Sequence, residues 1–294
     1  MTGREPATIR DGVRRYRIPF RLPFRGLTHR EGVLYEGPRG WAECSPFPWY
    51  RDDEVDAWRR AAEEAAFEPW PHRVRERVPV NATVPAVDAH VAHAIAASSG
   101  CSTVKVKVGD PGDTERVEAV RSALGPRGRI RLDANGAWDV DTATHRIGAF
   151  ARYDLEYVEQ PVRTLEEMAT LRKRIEVLLA VDEPARSVAG ARRAGELEAA
   201  DVLIVKVQPV GGVRAGMRAA EVSGLPAVVS SAVETSIGLA AGVALAAALP
   251  ELPYACGLGT LSLLEGDVTA DPLVPVDGAI AVRRPAVDER ELAR

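Results

Sequence analysis

A chain of 294 residues is long enough for one barrel-sized domain with a small companion, or for two ordinary domains. Hydrophobic residues make up 46% and charged residues 27%, a balance that supports a sizeable buried core. The net charge of -4, from 38 Lys and Arg against 42 Asp and Glu, gives no broad positive field for nucleic acid, and no basic face for an anionic membrane stands out. Cys44, Cys101 and Cys256 are odd in number and form no C-x-x-C, so neither a disulfide framework nor a zinc knuckle is supported. Reduced thiols in a cytoplasm are the simplest reading. Met1 to Arg10 lacks the apolar core of a secretion signal. The longest apolar stretch, Ile237 to Leu249, is too short to span a bilayer and reads as a buried Ala-rich helix. The expectation is a cytoplasmic protein with no nucleic-acid or membrane partner, a monomer being slightly favoured.

In chain order, Val13–Phe20, Gly32–Glu36 and Gly40–Cys44 read as short strands of an antiparallel meander punctuated by Pro and Gly. Asp53–Phe67 follows as a helix with Ala61, Ala62, Ala65 and Ala66 on its apolar side. Together, residues 1–78 suggest a small α+β domain. From about residue 79 the pattern changes. Short β-branched runs occur at Val78–Val84, Thr103–Val108, Ile130–Asp133, Leu155–Glu159, Val177–Val181, Val202–Val207, Ala227–Ser230 and Tyr254–Gly257. Helical patterns lie between several of them, at Thr114–Leu124, Val140–Ala151, Leu165–Arg174 and Val213–Ser223. Strand, helix, strand, repeated in this way, argues for parallel βαβ units over residues 79–260. The tail, 261–294, with a strand-like Ala279–Val282, is expected to return to the first domain.

A polar residue closes each strand: Thr83, Lys107, Asp133, Glu159, Asp182, Lys206 and Ser231, at spacings of 24, 26, 26, 23, 24 and 25 residues. One βα unit separates each pair, so these side chains are expected at equivalent heights around a closed barrel, at the end where barrel active sites lie. Strand side chains alternate, so Lys105 and Lys107 share a face of their strand, as do Arg131, Asp133 and Asn135 of theirs. Buried parallel strands are nearly all apolar, so ionisable groups at their ends need a reason.

Asp133, Glu159 and Asp182 can converge on one hard cation, and Mg²⁺ suits a carboxylate set that leaves room for water and substrate. Zinc would call for His or Cys, which these strand ends lack. Any one of the three could instead be an ion-pair partner or a helix cap, and Glu183, beside Asp182, is the rival third ligand. Lys107 and Lys206 flank the acids and should face each other across the mouth. Both neutralise the cluster. A neighbouring cation and a divalent metal also lower a lysine pKa, which makes Lys107 the candidate base, Lys105 the charge beside it, and Lys206 the partner opposite.

Five segments carry a resemblance: Val104-Lys105-Val106-Lys107-Val108-Gly109, Leu132-Asp133-Ala134-Asn135, Val158-Glu159-Gln160-Pro161, Val181-Asp182-Glu183-Pro184 and Val205-Lys206. In that order they resemble the enolase superfamily, muconate-lactonising subgroup, across essentially the whole chain. The resemblance implies a modified (β/α)7β TIM-type barrel with a small α+β capping domain drawn from both chain ends. It also implies Mg²⁺ and a lysine base acting beside a carboxylate, with stabilisation of an enediolate. Pro23-Phe24-Arg25, Gly40-Trp41-Ala42-Glu43-Cys44-Ser45-Pro46 and Ser230-Ser231-Ala232-Val233-Glu234-Thr235-Ser236 are most similar to the subgroup's lyases, which dehydrate a hydroxycyclohexadiene carboxylate in menaquinone biosynthesis. By that likeness Lys107 removes the α-proton and Lys206 stabilises charge from the opposite face. Phe24–Glu31 would be a short capping loop.

Ser230, Ser231 and Gly257 border the expected mouth and are candidates for substrate contact, as is Arg25 from the capping loop. His29 shares that loop. His90 and His93 are helix-spaced but fall on the first barrel helix, away from the site. Gly211-Gly212 reads as a tight turn rather than a phosphate loop, and Cys256 as a packed side chain without a histidine partner. Two other readings stand beside the lyase: an N-acylamino acid racemase or dipeptide epimerase on the same scaffold, and a barrel that only binds a carboxylate.

Overall fold

A computed structural model describes residues 12–293 of the chain; the segment Met1–Arg10, considered above for targeting, lies outside the described residues. The first sheet is an antiparallel meander of β1 (Arg14–Phe24), β2 (Leu27–Gly37) and β3 (Gly40–Cys44), followed by the helix α1 (Asp52–Phe67). β1 and β2 are longer than their apolar patterning indicates. The segment expected to be a capping loop is a tight hairpin, Phe24 pairing with Leu27, and only Arg25 and Gly26 turn the chain. Both have positive φ (48° and 81°), the geometry of a two-residue hairpin turn that matches strand twist.

The run Val78–Val84 is two pieces. β4 (Arg77–Pro79) ends at a proline, and β5 (Ala82–Val84) begins the barrel. Between them the backbone turns to other partners: Val80 N–H donates to Gly278 O and Asn81 N–H to Cys256 O, both at 2.9 Å. The barrel then alternates as expected: α2 (Ala89–Ser98), β6 (Thr103–Lys107), α3 (Asp113–Leu124), β7 (Arg129–Asp133), α4 (Val140–Phe150), β8 (Leu155–Glu159), α5 (Leu165–Arg172), β9 (Leu179–Val181), α6 (Val188–Glu196), β10 (Val202–Lys206), α7 (Val207–Val210), α8 (Val213–Ser223), β11 (Ala227–Ser230) and α9 (Ser236–Ala248). β5 to β11 form one parallel sheet in sequential order. The expected eighth strand, Tyr254–Gly257, is reduced to single bridges, Cys256 to Val80 and Gly257 to Ser230. Those bridges close the sheet on itself. A Cβ at Gly257 would lie 2.4 Å from Ser230 Oγ, so a larger residue there would have to displace that hydroxyl.

The Ala-rich α9 is buried along its whole length, which explains an apolar helix without a polar face. No helix among the described residues is long and apolar enough to cross a membrane. After α9 the chain visits both bodies. Leu261, Leu264 and Val268 pack with Tyr16, Ile18 and Phe20 of β1, while β12 (Ala279–Ala281) pairs with β4 rather than with the meander. The last helix, α10 (Glu289–Leu292), is tied to β1 by the Arg14–Glu289 ion pair at 3.0 Å. Cys44, Cys101 and Cys256 are buried and unpaired with one another. Burial pushes the Cys256 thiol up to about 12, so it is not a nucleophile.

The barrel floor holds a buried cation. Arg131, with no solvent exposure, donates to Glu156 Oε2 at 2.5 Å, Asn81 Oδ1 at 3.0 Å and Ala255 O at 2.7 Å. It also lies over the Tyr157 ring, 4.6 Å from its centroid. Arg131→Ala is expected to cost roughly 3 kcal/mol in urea unfolding, the low end for breaking a buried pair, because Arg129 still reaches Glu156. A loss below about 1 kcal/mol would show that this network holds little of the fold.

Candidate active site

Strand parity assembles the site. In β6, Val104 and Val106 face the helices, and Lys105 and Lys107 face the barrel interior. Cα register places Lys107 beside Asp133 and Asp133 beside Glu159. Asp182 lies two residues beyond Ala180, the register partner of Glu159, just past the end of β9. Inward residues of β10 and β11 follow the same parity, with Val202, Ile204 and Val228 lining the interior. On that parity the inward partner of Lys206 is Ser230 and not Ser231, so the spacing count misplaced the last member by one residue.

The five ionisable groups at the strand ends and Lys105 interlock. Lys105 Nζ sits 3.0 and 2.9 Å from the two Glu159 oxygens and 3.3 Å from Asp133 Oδ2. Lys107 Nζ is 3.2 Å from the same Asp133 oxygen. Opposite, Lys206 Nζ is 2.6 Å from Asp182 Oδ2. Arg186, unremarked in the sequence, grips Asp182 with two bonds, Nε to Oδ1 at 3.0 Å and Nη2 to Oδ2 at 2.6 Å, and donates to Tyr50 Oη at 2.7 Å. Its i,i+4 spacing from Asp182 across a helical turn begun by Pro184 was the available signal. Glu183 Oε1 accepts from Arg25 Nη2 and Asn135 Nδ2, each at 3.0 Å, so this residue belongs to the rim.

Four carboxylates here, Asp133, Glu159, Asp182 and Glu183, are faced by five cations, Lys105, Lys107, Lys206, Arg186 and Arg25. Their titration follows. Burial opposes ionisation of Asp133, but Lys107 and Lys105 outweigh it and hold the carboxyl below the usual range. Asp182 is held low against burial by Arg186 and Lys206. Burial pushes Glu159 up to about 6, Lys105 pulling against it and the like charges of Asp133 and Asp182 adding to it. The two lysines of β6 part company. Lys105 is held protonated because Glu159 and Asp133 overcome its burial. Lys107 is lowered, first by burial and then by the charges of Lys105 and Arg25, against Asp133.

Among the described residues no three His, Cys, Asp or Glu side chains stand as a ready metal cage. Lys105 lies between Asp133 and Glu159, and Arg186 covers Asp182. The donor chemistry nevertheless fits magnesium: three buried carboxylates close enough to raise one another's proton affinity, with no imidazole or thiolate among them. Two further buried oxygens at the rim, Asn135 Oδ1 and Glu183 Oε2, lack a hydrogen-bond partner. Asn135 and Gln160 follow β7 and β8 closely with φ of 45° and 42°, the kind of strain that collects at sites. Gln160 Oε1 in turn accepts from the Asp182 amide at 2.8 Å.

Phe24, Arg25 and Tyr50 from the first body close a cavity whose floor includes Lys107, Asp133 and Lys206. Ser230, Ser231 and Gly257 border it. Their polar groups are largely engaged with each other: Ser231 N–H and Ser230 Oγ both donate to Gly257 O, at 3.0 and 3.3 Å. His29 bonds Thr28 and Arg17 on an exposed edge and does not line the cavity. Gly211 and Gly212, at φ of 100° and 127°, make the turn from α7 into α8. A larger hollow of about 730 Å³, bordered by Ser99, Leu261 and Asp267, contains none of the strand-end lysines or carboxylates.

Residues 87–286 match the enolase C-terminal domain-like family and residues 15–66 the enolase N-terminal domain-like family. An o-succinylbenzoate synthase of Thermobifida fusca is 59% identical over 285 residues, 95% of this chain and 90% of that one. One of Mycolicibacterium smegmatis is 46% identical, covering 94% and 87%. Among solved structures, the muconate lactonizing enzyme of Pseudomonas fluorescens superposes with a TM-score of 0.85 at 21% identity, covering 96% and 97%. The N-succinyl Arg/Lys racemase of Bacillus cereus superposes with a TM-score of 0.82 at 20% identity, covering 96% and 95%. The barrel expected from the spacing is thus the fold of known enzymes, and the chain belongs to the enolase superfamily, within its o-succinylbenzoate synthase family.

Proposed function

We propose that this chain dehydrates 2-succinyl-6-hydroxy-2,4-cyclohexadiene-1-carboxylate to 2-succinylbenzoate, the o-succinylbenzoate synthase reaction of menaquinone biosynthesis. The observation that carries the reading is a depressed Lys107 facing an Asp182-paired Lys206 across one cavity, in a chain 59% identical to such a synthase. Residues 1–78 and 261–294 would make the cap, and 79–260 the barrel. The same reading puts the enzyme in the cytoplasm, acting on a small carboxylate without a nucleic-acid or membrane partner.

In this proposal the neutral Nζ of Lys107 takes the proton from the carbon beside the carboxylate. Electrons of that C–H bond enter the ring, the bond to the 6-hydroxyl breaks, and the proton on Lys107 passes to the departing hydroxide, so water leaves and the ring is aromatic. Lys105 stays charged and keeps the Lys107 pKa low. Lys206, paired with Asp182, faces the developing negative charge from the opposite side. Arg25, Ser230, Ser231 and Gly257 bound the substrate at the rim. Asp133, Glu159 and Asp182 would hold Mg²⁺, which supplies positive charge beside the substrate carboxylate when bound. A positioned base contributes roughly 10²–10⁴-fold, about 3–5 kcal/mol. A carbon acid this weak needs more, and that remainder falls to the charges facing the enediolate.

The test offers the diene carboxylate with Mg²⁺ and follows the ultraviolet change on aromatisation, then offers N-succinyl amino acids and follows optical rotation. Turnover in the first and none in the second is expected; the reverse would make the chain a racemase. Lys107→Ala should lower kcat by roughly 10²–10⁴-fold with an unchanged circular dichroism spectrum, and full activity would remove Lys107 from the base role. Only unprotonated Lys107 can accept a proton, so kcat/KM should fall as pH drops through the depressed Lys107 pKa. A profile flat from pH 9 to 5 contradicts that assignment. Chelation should abolish turnover and added Mg²⁺ restore it, with Asp133→Asn needing more metal by titration calorimetry.

A further inference from the structure

The loop from β11 to α9 borders the cavity with Ser231, Ala232 and Val233, yet its shape is imposed from the first sheet. Val233 has a φ of 61°, a left-handed backbone that is a genuine outlier for a β-branched residue. Such a conformation persists only where its surroundings over-determine it. Three contacts do so. The Val233 side chain is buried among Tyr16, Ile18 and Leu34. Arg30 of β2, 2% exposed, donates from Nε to Val233 O at 2.8 Å and from Nη2 to Ala232 O at 3.3 Å. Its anchor is Ser45, just past the end of β3, through the hydroxyl at 2.9 Å and the carbonyl oxygen.

Glu43 of β3, also 2% exposed, completes the clamp. Its Oε2 accepts from the backbone amides of Thr235 and Gly238, both at 3.1 Å, and from the Thr235 hydroxyl. Its Oε1 accepts from Tyr16 Oη at 2.7 Å and Ser45 Oγ at 2.6 Å. The first-turn amides of a helix lack intrahelical partners and carry partial positive charge. Here a carboxylate from nearly two hundred residues earlier satisfies two amide donors around that turn.

We propose that Arg30 and Glu43 are positioning residues: they hold the loop in its strained shape and so set the Ser231–Val233 wall of the cavity. The seating of the cap is thereby expressed as substrate affinity, while proton transfer stays with the strand-end lysines. The inference rests on the reaction assigned above.

Its test compares the full chain with Arg30→Met, Arg30→Lys and Glu43→Gln, by steady-state kinetics on the diene carboxylate and by amide hydrogen exchange. Arg30→Met should raise KM by about tenfold or more with kcat within about threefold, the signature of lost uniform binding. Exchange should quicken at amides 232–238 and stay unchanged at 105–108. Arg30→Lys should recover part of the KM, since it restores one donor, and Glu43→Gln should move both readouts in the Arg30→Met direction. A KM within about twofold of the parent, or a kcat that falls more than KM rises, overturns the proposal. If Arg30→Met does not fold, Glu43→Gln decides by the same criteria. If the parent chain does not turn over the diene, the reaction assignment fails, and exchange at 232–238 alone then decides whether the clamp exists.

Discussion

Burying three carboxylates at the mouth of a barrel is tolerable only because cations meet them there. An isolated ion moved into such a site would neutralise itself rather than remain charged. Asp133, Glu159 and Asp182 avoid this by facing Lys105, Lys107, Lys206 and Arg186 at 2.6 to 3.3 Å. The compensation is uneven, and the unevenness is useful. Lys105 has two carboxylate partners and stays charged, whereas Lys107 has one, shared with Lys105, and its burial wins. Two lysines two residues apart thus have their proton affinities shifted in opposite directions by position alone, so one strand carries a fixed charge and, in the proposed reaction, the base.

That arrangement depends on register. A single-residue slip would turn Lys105, Lys107 and Asp133 outward against the helices and bring Val104, Val106 and Leu132 inside. The apolar outward residues resist such a slip because they are fully buried under the helical layer. Packing on the outside of the sheet therefore holds the chemistry on its inside, and the site inherits its precision from the largest core of the molecule.

The parts of the site legible in the sequence were those whose spacing is set locally. A βα unit has a narrow range of lengths, so polar residues closing successive strands recur every 23 to 26 positions, and Lys107, Asp133, Glu159 and Lys206 do end their strands. Counting cannot resolve strand parity at an end, which is why Ser231 was placed where Ser230 stands. The helix α6 is not evident in the sequence because it is only nine residues long, carries Gly190 and Gly195, and buries only the small side chains of Ala191 and Ala194. The eighth strand was overread, since its pairing is two single bridges. Contacts from the cap had no local signature whatever. Arg30 with Val233 and Glu43 with Thr235 span 203 and 192 positions, and no window along the chain relates them.

Those long-range contacts bear on how a reaction is chosen. Proteins named for lactonising and for racemising share this fold with the chain at 20–21% identity, so the fold by itself selects neither. A strand end can change its side chain but not its place, because the sheet holds the backbone. The loop after β11 is different. Its backbone is strained at Val233 and takes its shape from a separate sheet through buried ionic and polar bonds. On the positioning role proposed for Arg30 and Glu43, a small change in how that sheet sits would move the cavity wall and leave Lys107 beside Asp133. Proton abstraction and substrate fit can then vary independently, and that separation follows from which element carries each group.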